Sequence, residues 1–445
     1  MNYKYSYSEI TQKFLKFEDE RELLTLDLQS VKPWQIARII IFLEIVNYYI
    51  PGNISPNKES IYRKVKRILY RIFINSIFYN PFIDRSTSEI LIFESGRKYK
   101  KDNKYIDIYT HYLYNDLKNQ KKRITIYEPF YNENDNLIKS DKKTKHLDFL
   151  RFKAKFFQKL IKCSFNSEEL QKIKVIEKDL KNEFNIELNI QEIFAREIKK
   201  FKAELALFEK LFKIKNPKEI YVINSCDKPA MIYAAKMNKI IVNELQHGLN
   251  SDKDVILNFP YTVEDSLDYF PDKFFIWNNI DMFFAKLPIS KQNIKYLPNY
   301  HIEHVKNITN EIKKEKGTIL IISQPYGAEG IQQFIVKNIK DLNSYKVIYK
   351  IHPVENLDKI QDFKKSCNSY SNISFVNNEE SIYVLLKKAE YVVGIYSSAL
   401  FEAAAFECKI ILLNLPGVEM SMDLLEIKDN QLIKFDEKLL NVLSK

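Results

Sequence analysis

EYVVGIYSSALFEAAAFECKIILLNLPG, residues Glu390 to Gly417, decides the fold. An apolar run, Tyr391 to Val393, ends at Gly394 and is followed by two hydroxyls, Ser397 and Ser398. ALFEAAAFE is rich in strong helix formers. KIILLN is a second apolar run, closed by Pro416 and Gly417. Short continuous apolar runs flanking a helix read as parallel strands covered on both faces, a βαβ unit. The helix starts at the serines. Unsatisfied N–H groups and the helix dipole favour an anion at such a start, so Gly394, Ser397 and Ser398 are candidates for holding one. Glu402 follows Ser398 by four residues and shares its helix face, where a carboxylate accepts hydrogen bonds from ribose hydroxyls. The plainer reading makes Ser397 an N-cap and Glu402 a solvated helix residue. The stretch alone leaves both open.

The same grammar extends in both directions. GTILIISQP with the loop YGAEG, YKVIYKIHP, and ISFVNNEE leading into SIYVLLKKA form a second α/β block that begins near Gly317. Upstream, EILIFES, RITIYEP, IYVINS, KIIVNELQHG and DKFFIWN alternate with helical stretches, and residues 145–215 read as long charged helices. Residues 1–85 carry helical periodicity, broken by PGNISP. The expected organisation is an α/β protein with an N-terminal helical region (1–85), a first Rossmann-like acceptor domain with a helical insertion (86–305) and a second Rossmann-like nucleotide-donor domain (306–445).

Composition narrows the class. Hydrophobic residues make up 45% and charged residues 29%, an ordinary globular balance. The formal charge of +11 suits an anionic substrate, nucleic acid or a membrane surface. The basic residues are dispersed, and no RNP, KH or helix-turn-helix signature is present, so nucleic acid is not the expected partner. The four cysteines form no CxxC pair, which argues against a zinc site and for a reducing compartment. The N-terminus lacks a signal-peptide pattern, and the apolar window Ile36–Ile50 contains Arg38 and Glu44, so it falls short of a membrane span. Cytoplasm is the expected location. Ile61–Tyr79, with Arg63, Lys64, Lys66, Arg67 and Arg71 among aromatics, reads as a packed helix with a solvated basic face or as a peripheral contact with the inner membrane.

In open parallel sheets ligands lie beyond the carboxyl ends of the strands. There this sequence places Gln324, His352-Pro353, Gly394 to Ser398 and the pair Glu244/His247 of ELQHG. A glycine-poor chain, with 8 in 445 residues, puts six of them in these turns, in the Gly96-Arg97 turn after EILIFES or in the closing Pro-Gly turn. An imidazole with an ordinary pKa near 6.5 suits His247 as a base for a hydroxyl nucleophile, and Glu244 is the other candidate. Both also admit a structural role. No DxD follows a strand of the second block, so no metal is expected. A leaving nucleotide would then be met by helix N–H groups, hydroxyls and imidazole.

The series ELQHG, KIHP and SS-x3-E-A-x2-F resembles the GT-B glycosyltransferases of bacterial surface polysaccharide synthesis. It is similar in particular to those with HP and SS motifs: sialyl- and polysialyltransferases, Kdo transferases and CDP-glycerol glycerophosphotransferases. The resemblance implies two Rossmann domains facing across a cleft, with no metal and no cofactor beyond the nucleotide-sugar substrate. It implies donor-phosphate binding by His352, Ser397 and Ser398, to which the strand-end reading adds Gln324 and Gly394 as nucleotide-binding candidates. It further implies ribose binding by Glu402 and a base at His247. The acidic-acidic-Gly motif of sialyltransferases is absent, and ELQHG stands in its place. The expected activity is sugar transfer from a nucleotide sugar to a glycan or lipid-linked acceptor of capsule or lipopolysaccharide. The alternatives are a CDP-polyol phosphotransferase of the same fold, a UDP-sugar 2-epimerase, a nucleic-acid-binding protein and a non-catalytic subunit of a glycan assembly complex.

Overall fold

The apolar runs form strands in two separate parallel sheets, each with helices along its crossovers. The computed structural model describes residues 5–50, 69, 74–101, 104–128, 132–133, 136–137, 144–248, 251–260, 262, 267–277, 285–324, 327–352, 355, 357–377 and 380–443. By contacts the chain divides into two units. One comprises Phe14–Ile45 and Glu59–His301, the other Met1–Lys13, Val46–Lys58 and Ile302–Lys445. The N-terminal 85 residues are therefore shared between two bodies.

The first unit is built on β1 (Ile90–Phe93), β2 (Ile124–Glu128), β3 (Thr144–His146), β4 (Glu219–Ile223), β5 (Ile241–Leu245), β6 (Lys273–Ile276) and β7 (Ile294–Tyr296). Their order is β7-β6-β5-β4-β1-β2-β3, and every neighbouring pair is parallel. The direction of strand addition reverses between β1 and β4, the doubly wound arrangement with its switch point there. Alternation along β1 sends side chains to two cores. Leu91 and Phe93 pack with residues of α4 (Asp148–Leu160), α6 (Ile190–Lys215) and α7 (Pro229–Met237), while Ile90 and Ile92 pack with Leu117 of α3 (His111–Asn119).

The second unit has β8 (Glu315–Ile322), β9 (Lys346–Lys350), β10 (Ile373–Val376), β11 (Ala389–Gly394), β12 (Lys409–Asn414) and β13 (Gln431–Lys434) in the order β10-β9-β8-β11-β12-β13, again wholly parallel. Its switch point lies between β8 and β11. The crossover helices are α8 (Ala328–Asn338), α9 (Leu357–Cys367), α10 (Ile382–Lys388) and α11 (Ser398–Ala405). Because all strands of a parallel sheet point one way, their carboxyl ends share one edge.

Helices α1 (Tyr7–Glu20) and α2 (Pro33–Tyr49) carry the N-terminal pattern. Trp34, Ala37, Ile41 and Ile45 of α2 are fully buried, and Phe14 packs its ring 5.2 Å from Phe42. Phe17 of α1 lies 5.5 Å from Phe184 of α5 (Ser167–Phe184). Arg38 is a structural cation here. It gives 2.8 and 2.7 Å hydrogen bonds to the two oxygens of Glu18 and others to the carbonyls of Val255 and Asn258. Trp34 Nε1 donates to the same Glu18 carboxylate at 2.7 Å. Among the described residues no helix is long and apolar enough to cross a membrane. Within Ile61–Tyr79, residues 61–68 and 70–73 lie outside the described residues.

Arg38→Met should destabilise the first unit by about 3–5 kcal/mol, because it strands a buried carboxylate. Urea unfolding measures this. The double change Glu18→Leu with Arg38→Met should recover much of the loss, since it removes the charge along with its partner.

Candidate active site

Three neighbouring strands of the second unit, β9, β8 and β11, end side by side, and their first loop residues are joined by hydrogen bonds. After β8 come Ser323 and Gln324, both buried. Ser323 Oγ donates to Glu355 Oε2 at 2.7 Å, and Gln332 Nε2 of α8 donates to Oε1 at 2.9 Å. Tyr349 OH lies 3.0 Å from Oε1 and 2.8 Å from Ser323 Oγ. The backbone N–H of His352, just past β9, donates to Oε2 at 3.2 Å, and Glu355 N returns a bond to the His352 carbonyl at 3.0 Å. Glu355 thereby fixes the turn that presents His352. Burial pushes the Tyr349 phenol far above its usual range, so it remains a donor to this carboxylate.

On the other side of β8, Gln324 Oε1 accepts from Tyr396 N at 3.2 Å and ties the loop of β8 to that of β11. Ser397, in extended conformation, caps α11, its Oγ accepting from Ala399 N at 3.2 Å. Ser398 opens the helix, and Glu402 lies one turn further on, half-buried. Burial, then the Lys350 ammonium, lowers the His352 imidazole, which favours its neutral form. Pro353 lies outside the described residues. A Cβ on Gly394 would stand 3.1 Å from Leu400 Cδ2 of α11. The position supports close strand–helix packing, beside the ligand-approach role expected from sequence. Gly327, at φ +80°, precedes α8 in a conformation that side chains disfavour, and a Cβ there would meet Ile395 Cδ1 at 2.8 Å.

The corresponding edge of the first unit holds Glu244 and His247. Glu244 is wholly buried on β5, with Oε1 accepting from Ser225 N at 3.1 Å and Oε2 without a hydrogen-bond partner. Burial raises its carboxyl to about 7. Burial acts in the opposite sense on His247, which together with the Lys228 ammonium is lowered to about 4. His247 Nδ1 is buried without a partner, and its carbonyl accepts from Tyr109 OH at 2.8 Å. Tyr109 stacks on Trp277, with ring planes 5° apart and centroids 6.0 Å apart. Gln246 braces the loop by accepting from Trp277 N at 2.7 Å and donating to the Gly248 carbonyl at 2.8 Å.

Two groups of polar residues escape the sequence reading. Glu355 and its donors form the first. Its only local signal is a carboxylate three residues beyond His352. The second is Lys98, clamped by Glu94 and by Glu128, the latter at 3.0 Å. Burial alone would lower the Lys98 ammonium, but the two carboxylates outweigh it and hold it at about 12. Glu94 and Glu128 are each the polar residue that ends a strand run, so this signal was present in the sequence. Among the described residues no three His, Cys, Asp or Glu side chains converge as a metal site would require.

Two doubly wound α/β units, each with its polar residues at the carboxyl edge, are the fold elements of GT-B enzymes. Residues 269–412 match the family model for alpha-2,8-polysialyltransferase (POLYST). Fold and match together support the class: a GT-B glycosyltransferase. The particular family that this span resembles is the polysialyltransferases. The span contains Gln324, His352, Gly394, Ser397, Ser398 and Glu402, whereas Glu244 and His247 precede it. No protein of curated function matches the chain. The fold is similar to UDP-GlcNAc 2-epimerase from Methanocaldococcus jannaschii, at 14% identity and TM-score 0.46 over 80% of this chain and 91% of that one. It is also similar to UDP-GlcNAc 2-epimerase from Neisseria meningitidis, at 11% identity and TM-score 0.46 over 81% and 89%. MurG from Acinetobacter baumannii gives 11% identity and TM-score 0.45 over 80% and 88%.

Glu244 has a measurable signature in stability. Its folded pKa of about 7 exceeds the unfolded value of 4.5, so its contribution is fully present below pH 4.5 and lost as pH rises through 7. His247 slopes the other way, gaining stability from pH 4 towards 6.5, so the comparison must be between variants. Glu244→Gln should match the wild type near pH 4. It should exceed the wild type above pH 7 by on the order of 3 kcal/mol. Denaturant midpoints across this range test it.

Proposed function

We propose that this protein transfers a sugar from a nucleotide-sugar donor to a hydroxyl of a surface-glycan or lipid-linked acceptor, without a metal ion or a further cofactor. The supporting observation is the set of hydrogen bonds that joins His352 and Ser323 to Glu355 and Gln324 to Tyr396, with Ser323 next to Gln324 and Tyr396 next to Ser397 along the chain. It sets an imidazole and a capped helix N-terminus on one sheet edge, at the switch point where an open parallel sheet receives a nucleotide.

The donor's phosphates meet the positive end of the α11 dipole and the hydroxyls of Ser397 and Ser398, with the His352 imidazole beside them. Gly394 and Gln324 shape the strand ends beneath, and Glu402 accepts from the ribose. On the first unit's edge, His247 takes the acceptor's proton. Its lowered pKa keeps it in the proton-accepting form across neutral pH. The acceptor oxygen bonds to the anomeric carbon as the bond from that carbon to the phosphate oxygen breaks. The electron pair leaves with the nucleotide, whose charge is met by hydroxyl, N–H and imidazole donors. Glu244 positions the loop after β4 through Ser225. The Tyr109–Trp277 pair offers a sugar ring an apolar face. The polysialyltransferase match supports a growing sugar polymer as acceptor.

The pH profile of kcat/KM separates the two candidate bases. A base must be deprotonated, so activity falls as pH drops through its pKa. With His247 as base the acid limb lies near 4, and His247→Asn lowers turnover by about 10²–10⁴-fold. A limb near 7 that disappears in Glu244→Gln would transfer the role to Glu244. Ser397→Ala with Ser398→Ala should weaken nucleotide binding by about tenfold or more in calorimetric titration, because hydrogen bonds to charged groups are lost. Unchanged binding would refute the phosphate assignment.

A further inference from the structure

Helix α4 has a second apolar side that the fold does not use. Its inner side is committed: Leu150 and Ala154 are buried in the core of the first unit, and Phe157 packs against them. Phe152, Phe156 and Leu160 nevertheless stand 55%, 57% and 65% exposed. Their spacing of four residues places them in one row along the helix. Arg151, Lys155 and Lys159, each one residue earlier, are exposed as well and make a parallel cationic row. The only acidic residue of the helix, Asp148, is buried and accepts from Asn75 Nδ2 at 2.7 Å. That bond, and the Phe82–Phe149 ring contact at 6.1 Å, anchor a second apolar element beside α4. It carries Ile77, Phe78 and Ile83, exposed by 54%, 70% and 65%.

Large contiguous apolar patches are rare on proteins that meet only water. The cationic row selects the partner. A protein groove would bury the aromatic row but gives no reason for a row of three like-charged side chains alongside it. An anionic bilayer surface takes both rows at once, rings at the headgroup–acyl boundary and basic side chains on lipid phosphates, their stems lying along the apolar surface. We propose that α4 and residues 77–83 dock this protein on an anionic lipid bilayer. The surface differs from the basic stretch before residue 74, and it stands independently of the glycosyl-transfer reading because its test measures binding alone.

Flotation of the full chain tests it with vesicles of phosphatidylcholine, with and without phosphatidylglycerol. The wild type should float with the anionic vesicles and remain with the soluble fraction when phosphatidylcholine is the only lipid. Phe152→Ser with Phe156→Ser and Leu160→Ser should lower the bound fraction at least about tenfold, and so should Lys155→Glu with Lys159→Glu. Circular dichroism and melting temperature establish that each variant is folded. If the apolar triple variant fails to fold, the charge-reversed pair still decides, since those side chains lie on the outer surface. Folded variants that bind as the wild type does would overturn the proposal, as would a wild type that ignores anionic vesicles. Light scattering covers the remaining occupant: if the triple change dissolves an oligomer and leaves vesicle binding intact, the face belongs to a second copy of the chain and the proposal falls.

Discussion

Four donors converge on the buried carboxylate of Glu355: the Ser323 hydroxyl, the Gln332 amide, the Tyr349 phenol and the His352 backbone N–H. A carboxylate out of water is costly unless its oxygens are satisfied. Here both are, by groups from β8, α8 and β9, so the network holds only if those elements end where they do. The turn after β9 must fold back far enough to bring residue 355 beneath the end of β8, and this places His352 at the sheet edge. Gln324 then extends the same linkage to β11 through Tyr396 N. A fully satisfied buried network rigidifies what it joins. The edge that carries His352, Ser397 and Ser398 is therefore held from below by groups that need touch no ligand.

The first unit handles buried charge in two other ways. Where opposite charges meet, as at Glu94, Lys98 and Glu128, the Lys98 ammonium survives burial. Where they do not, burial removes the charge. It raises Glu244 and lowers His247, so that between about pH 4 and 7 both are neutral. One cause gives opposite shifts because the charged form is the deprotonated one for a carboxyl and the protonated one for an imidazole.

The central strands were legible because a parallel strand covered on both faces must be apolar along its whole length. EYVVG, KIILLN, GTILII and YKVIYK became β11, β12, β8 and β9 on that basis. The edge strands β3, β7 and β13 were not read. TKH, IKY and QLIK are short and half polar, since a strand with one neighbour needs no continuous apolar run. Helices α1 and α2 were legible as helices, but their allegiance was not. Arg38 argued against a membrane span, yet nothing local tells that its partner is Glu18, twenty residues earlier. Glu355 was hidden for the same reason, its partner Ser323 lying 32 residues away. Gly394 shows the converse. Its scarcity value marked it for a ligand, and the structure supplies a packing reason in Leu400.

The two units share one strand order and differ in the sign of what their carboxyl edges offer. In the second unit, the switch point between β8 and β11 is closed by a neutral amide, Gln324 to Tyr396 N, and the positive end of the α11 dipole lies beside it, with Ala399 N and Leu400 N held by Ser397. In the first unit, strand ends deliver Glu94, Glu128 and Glu244, with Asp107 gathering the N–H groups of Ser95, Gly96, Tyr109 and Thr110. Backbone donors that a phosphate would need are already spent on that aspartate. With Lys98 set between Glu94 and Glu128 and the backbone donors held by Asp107, this edge presents acceptors, which suit a partner that brings hydroxyls. The proposed placing of the nucleotide on the second unit and the acceptor on the first accords with that difference, which two sheets of one topology would not supply by themselves.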